Sequence, residues 1–256
     1  MTGRLRWAVL DSWTMVERNV ILWLRVPAYI MFTIVQPLMF MVLFKYVFGG
    51  AIAVGTKGGY VDFLMPGVIG QTAAFTSFST AIALAKEIQQ GSIDRFRSMP
   101  MARSAVLVGR LGADLLRLLL TIAVLLLVGY AVGFRFHNGL GPAVLMVILA
   151  LAIGLGMATI SAFTGLAIKD EESVQAFGLI WVFPLTFVSA AFVPINTMPG
   201  WLQAFANNQP ITIFIDELRN LAIGGPLWLH LWQSALWLLG IFIVFGTLAV
   251  RAYRRV

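Results

Sequence analysis

An all-α integral membrane fold is predicted by three features of the chain: its apolar content, the length of its apolar runs, and the placement of its few charges. Of 256 residues, 60% are hydrophobic and 11% charged, with a mean hydropathy of +0.89. A soluble domain averages roughly 45–50% apolar and about 25% charged. Six apolar runs, at about 28–48, 60–85, 105–134, 142–168, 174–193 and 227–250, approach or exceed the ~20 residues that a spanning helix needs. They fill the chain, so residues 1–256 read as a single transmembrane domain with no room for a separate soluble one.

Residues 4–25 read as an amphipathic helix lying in the membrane interface. At 100° per residue Val9, Trp13, Val16, Val20 and Leu24 share one face, and Arg4, Asp11, Thr14, Arg18 and Arg25 the other. The segment has no uninterrupted apolar stretch of signal-peptide length and no clear cleavage site, so it is expected to be retained. Pro27 separates it from the first span, which Gln36-Pro37 kinks and which ends near Lys45, placed to snorkel. The second span carries Pro66 and the small and hydroxylated run from Thr72 to Thr80, which predicts close packing against protein. In the third, Arg110, Asp114 and Arg117 are four and three residues apart and can pair along one helix face, a structural role. Gly154, Gly156, Ala158 and Ser161 give the fourth span a second close-packing face. Lys169 to Glu172 form a polar turn, and Pro184 interrupts the fifth span.

Residues 194–226 differ from the rest. Pro199-Gly200, Asn207-Asn208-Gln209-Pro210 and Gly224-Gly225-Pro226 cut the stretch into pieces too short to cross a bilayer. Two short re-entrant helices are predicted, at about 199–207 and 210–223. With six spans both termini share a side, and that side carries fourteen of the eighteen Lys and Arg residues; Lys45, Lys57, Arg135 and Arg219 are on the other. The excess places both termini in the cytoplasm and the broken segment outside.

That excess also accounts for the net charge of +7 without nucleic acid as a partner. No cysteine is present, so disulfides, thiol catalysis and cysteine metal sites are excluded. No glycine precedes any of the four lysines, so there is no nucleotide-binding P-loop. His137 and His230 are far apart in sequence and belong to no metal-binding motif, and no G-x-S-x-G occurs. The middles of all six spans lack Asp and Glu, so ion coupling has no obvious carrier. The chain contains no energy source of its own.

A driving force from elsewhere needs a place to act, and residues 86–103 provide one. The stretch from Lys86 to Arg110 is the longest without an apolar run, and it holds Lys86, Glu87, Asp94, Arg95, Arg97, Arg103 and Arg110. It reads as a cytoplasmic elbow whose stiff part, Glu87–Arg97, offers polar contacts at Glu87, Asp94, Arg95 and Arg97 and an apolar anchor at Phe96.

The pattern Glu87, Gly91-Ser92, Asp94, Pro100, Arg103 and Gly109-Arg110, with VPINTMPGWLQAFANNQP and Gly-Gly-Pro before the last span, resembles the ABC-2 type permeases of ATP-binding-cassette exporters, and among them the daunorubicin-resistance subgroup. The resemblance covers nearly the whole chain. It implies a non-catalytic permease subunit of a bacterial cytoplasmic-membrane exporter for hydrophobic or amphipathic drugs or lipids. It implies two permease chains, identical or related, each docking an ATPase subunit that binds ATP and magnesium, with no cofactor in the permease itself. Glu87, Gly91, Ser92, Asp94, Arg95, Phe96, Arg97, Pro100 and Arg103 then form the coupling site. Phe183, Pro184, Phe187, Asn207, Asn208, Gln209 and Pro210 are candidate exit-gate residues. Export of a lipid-linked polysaccharide, and an ion-coupled secondary carrier using Lys45, Asp62 or Asp114, stay open as alternatives. A membrane-embedded enzyme finds no nucleophile, base or metal set.

Overall fold

The computed structural model describes residues 2–52, 59–92, 95, 102 and 105–255. Among them the regular structure is helical: α1 (Thr2–Leu24), α2 (Pro27–Leu43, continued by a π-helical turn, Phe44–Phe48), α3 (Tyr60–Gln89), α4 (Ala105–Val132), α5 (Leu140–Ile168), α6 (Glu171–Phe187), α7 (Gly200–Asn208), α8 (Pro210–Ile223) and α9 (Leu227–Arg255). Among the described residues five segments are long and apolar enough to cross a membrane: Met31–Phe48, α3, α4, α5 and Leu231–Tyr253 within α9.

The bundle is built around α3 and α5. The most apolar window of α3 is 69% buried, against 11% for that of α2, so α3 is wrapped by protein and α2 is left facing outward. α4, α6 and α8 also pack on α3, α9 covers α5, and α1 lies along the start of α4. Lipid tails are as apolar as leucine, so van der Waals contact rather than expulsion of water holds such helices together. Backbones can approach closely only where side chains are small. A Cβ built on Gly165 would sit 2.4 Å from the Ala81 carbonyl oxygen of α3. Ala158 and Ser161 of the same helix are buried, and so are Thr72, Ala73, Ala74 and Thr80 on α3, as expected for both small-residue faces.

The fifth apolar run departs from expectation. It was expected to span as 174–193, but α6 has 17 residues and ends at Phe187. At 1.5 Å per residue that is about 25 Å, short of the ~30 Å hydrocarbon core. Pro184 cannot donate into the helix, and the Thr186 and Ser189 hydroxyls donate back to the carbonyls of Val182 and Thr186, which competes with helix continuation. Ala190, Ala191 and Phe192 then form a buried non-helical turn. Its carbonyls are satisfied by the Tyr60 hydroxyl, which donates to Phe192 O at 2.8 Å, and by Arg219, which donates to Ala190 O at 2.6 Å. Irregular backbone inside a membrane protein requires such partners.

The next stretch folds as predicted to within a residue, as α7 and α8. Phe214, Ile215, Leu218 and Leu221 bury one side of α8 in the bundle. α1 is also a helix over the predicted range, with its faces redistributed. Met15, Val16 and Asn19 are buried, whereas Trp7, Val9, Trp13 and Leu24 are exposed. The helix therefore has one side for α4, where Gly109 and Gly112 meet Met15 and Val16, and a second apolar side turned outward.

Candidate functional site

The elbow begins where α3 ends. Gln90 caps the helix, and Gly91 takes φ +65° with its N–H donating to Ile88 O. That left-handed conformation suits glycine and stops the helix. Beyond it Arg95 N donates to Gly91 O at 3.4 Å. Glu87, at the root of the elbow, accepts from Arg18 of α1 at 3.1 Å, with its side chain only 12% exposed. At the far end Ala102 N donates to Asp11 of α1 at 2.9 Å. Asp11 and Arg18 are seven residues apart, two turns of one helix face, so α1 holds both ends of the elbow. Gln89 also donates to Asp170, the cap of α6, at 3.3 Å. The Ser173 hydroxyl and backbone N–H hold the exposed Asp170 carboxyl below the ordinary carboxylate range. Gly91 and Ser92 are half-buried and Arg95 is exposed; Asp94, Phe96, Arg97, Pro100 and Arg103 lie outside the described residues.

Deeper along α4 sits a buried charge cluster. Asp114 pairs with Arg110 at 3.4 Å and with Arg117 at 2.9 Å, and accepts from the Thr80 hydroxyl at 2.6 Å. The spacing in sequence foretold these pairs, but not that all three side chains are withdrawn from solvent. Arg117 also donates to the Ser79 hydroxyl and lies 5.5 Å from the Trp23 ring. It forms one wall of a cleft of about 210 Å³ between α2 and α3, with Gln36, Phe40, Gln71, Phe75, Phe78 and Ser79 among the other walls.

From that cleft a run of stacked and edge-on rings leads toward the α7–α8 end. Phe75 meets Phe183 at 5.1 Å, Phe183 meets Phe187 at 5.4 Å, Phe187 meets Phe192 at 5.5 Å, and Phe192 stacks on Phe44 at 4.1 Å. Gln209, at the junction of α7 and α8, is buried and donates to Val188 O at the end of α6. The gate candidates Phe183, Pro184, Phe187 and Gln209 therefore gather at one end of α6. Pro210 opens α8, while Asn207 and Asn208 are exposed on α7, Asn208 donating to Ala204 O of its own helix.

A model of the ABC-2 type transporter family matches residues 11–223. The chain belongs to the ABC-2 type transporter family. It is 32% identical over 250 residues to the daunorubicin resistance ABC transporter permease protein DrrB1 of Streptomyces coeruleorubidus, covering 96% of this chain and 87% of that one. It is likewise 32% identical over 251 residues to the probable doxorubicin resistance ABC transporter permease protein DrrC of Mycobacterium tuberculosis, covering 94% of this chain and 88% of the other. A putative transport permease, ycf38 of Cyanophora paradoxa, is 25% identical over 216 residues, 83% of this chain and 74% of that one.

In this ABC-2 chain the ionisable groups considered for ion coupling all have partners. Lys45 donates to Val132 O at 2.6 Å, Asp62 accepts from Arg135 N and pairs with His137 at 2.5 Å, and Asp114 holds two arginines. Two features escaped the sequence reading. One is the clamp by Asp11 and Arg18, which shows only as two opposite charges seven residues apart. The other is the cleft, whose signals were Gln36 and Gln71 inside apolar spans and two arginines for one carboxylate.

Proposed function

We propose that this chain is the permease subunit of an ATP-driven exporter that moves hydrophobic or amphipathic molecules, drugs or lipids, out across the bacterial cytoplasmic membrane. The observation that carries the reading is the elbow held at both ends by α1, in a chain of the ABC-2 family. A segment that transmits force must not fold away under load, and two fixed ends make it a lever. An ATPase subunit, binding ATP and magnesium, docks on the elbow through polar contacts at Asp94, Arg95 and Arg97 and an apolar anchor at Phe96. Glu87 acts from within, carrying the push into α1 through Arg18.

Two permease chains pair, each with its ATPase. α6, with the turn after it, is the fifth of six spans, both termini are cytoplasmic, and α7–α8 is the external re-entrant segment. Cargo leaves past Phe183 and Phe187, where the aromatic run reaches the end of α6. The relatives named for daunorubicin and doxorubicin resistance support drugs as one cargo class.

Co-purification from native membranes tests the reading. An ATPase chain is expected to travel with the wild type and to be lost or uncoupled in a Glu87→Ala, Asp94→Ala double variant. Purification without an ATPase, together with a variant that behaves as wild type, contradicts it.

A further inference from the structure

We infer that the cleft between α2 and α3 binds the anionic head of an amphiphile whose apolar tail lies outward along α2. This deepens the lipid branch of the exporter reading by naming the head-group chemistry of that cargo, and it rests on that reading for its role in transport. Arg110 and Arg117 share the single carboxylate of Asp114, and all three side chains are at least nine-tenths buried. No further acid lies among the described residues of the cleft walls, so in this cluster two guanidiniums face one carboxylate. A buried cation is costly unless an anion meets it.

Hydrogen bonding points the same way. Gln71 is 3% exposed and lines the cleft, and its Nε2 finds no acceptor among the described residues. Trp23, which stacks beside Arg117, has a buried Nε1 in the same condition. Buried donors without acceptors are expensive to keep. A phosphate or carboxylate supplies acceptors and negative charge together, and binds a guanidinium through charge-assisted bonds.

Size and position decide what carries that head. Pockets that enclose a drug-sized molecule measure roughly 300–1,000 Å³, and this one is about 210 Å³. It holds a head and not a whole drug, so the remainder must lie outside. The rim there is Phe32, 75% exposed, with Val35 and Met39 of α2 exposed beside it. Arg117 is twelve residues into α4, about 18 Å along its axis at 1.5 Å per residue. That depth, counted from the elbow end, is within reach of a lipid-embedded amphiphile. A cationic head meets repulsion at the same site.

The test is photo-crosslinking of the purified full-length chain in neutral detergent micelles, using phosphatidic acid with a diazirine in its acyl chain. A trimethylammonium lipid with the same chain is the comparator. Phosphatidic acid is expected to label peptides covering 31–48 and 71–82 about ten-fold more than the cation, the ratio for one charge-assisted hydrogen bond. Arg117→Gln and Gln71→Leu each remove that preference, and Arg117→Lys keeps much of it. Excess inorganic phosphate leaves the labelling in place; its displacement by phosphate would show a free-anion site and overturn the amphiphile. Equal labelling by both lipids, or unchanged labelling in both variants, also overturns the proposal. Helix content by circular dichroism checks each variant, and Gln71→Leu decides the matter if Arg117→Gln does not fold. ATPase co-purification, scored separately, tells failure of this site from failure of the exporter reading.

Discussion

Two buried arginines in this bundle do opposite things. Arg219 of α8 is fully used: it pairs with Asp216 at 2.7 Å, donates to Ala190 O and Phe63 O, and lies 3.8 Å from the Phe63 ring. One acid answers one base, and the remaining donors hold the carbonyls of an irregular turn. Arg117 of α4 shares its acid with Arg110 and stands at the wall of a cleft. The first arrangement is a bolt and the second is a site. Both side chains are largely withdrawn from solvent, Arg219 12% and Arg117 4% exposed, so burial alone does not mark function; the balance of charge and the presence of space do.

The sharpest way to break this contrast is to remove charges in turn. Asp114→Ala leaves two guanidiniums buried together and is expected to cost about 3–5 kcal/mol, the range for stripping one partner from a buried pair; thermal unfolding in detergent reads it. Arg219→Ala is expected to fall in the same range, because it removes an ion pair and the donor to the Ala190 and Phe63 carbonyls. Arg117→Gln should cost clearly less stability than either while altering binding, and a loss equal to that of Arg219→Ala would erase the distinction.

Gly178→Ala sharpens the comparison from the side of space. A Cβ there would fall 1.6 Å from a ring atom of Phe78, a cleft wall. Overpacking of this kind costs typically 1–3 kcal/mol, and the displaced ring should reduce phosphatidic acid labelling, read in the same crosslinking assay. A smaller effect is expected for Gly91→Ala, where φ is +65°. The left-handed penalty of roughly 1–2 kcal/mol should loosen the elbow and leave the cleft alone, read as weaker retention of the ATPase.

The smallest effect concerns pH. Asp170 has a lowered folded-state pKa, so its cap on α6 is fully present above the ordinary carboxylate value and is lost as pH falls through the lowered one. Asp170→Asn should therefore flatten only the acid limb of the stability profile and leave neutral pH nearly unchanged.

Much of this was legible in the sequence where local chemistry decides. Pro199-Gly200, Asn207 to Pro210 and Gly224-Gly225-Pro226 punctuate the chain so strongly that α7 and α8 were placed to within a residue. The small residues of α3 and α5 announced their packing. The fifth run misled because its apolar residues continue past Phe187, while the hydroxyls of Thr186 and Ser189 and the buried Ala190–Phe192 turn decide where the helix stops. The cleft was hidden for a different reason. Gln71 and Arg117 are 46 positions apart and meet only through the packing of α3 on α4, and the elbow's clamp needs Asp11 beside Ala102. Period and composition report a residue's own helix, and they are silent about which helix lies opposite.

A lever made of α1 and the elbow must pass its load through the Arg18–Glu87 pair. A charge exchange between Arg18 and Glu87 tests it most directly, with ATPase activity and retention measured in the purified complex. Arg18→Glu and Glu87→Arg should each uncouple the complex, and the double exchange should restore a large part of the coupling. Single variants equal to wild type, or a double variant no better than the singles, would contradict it.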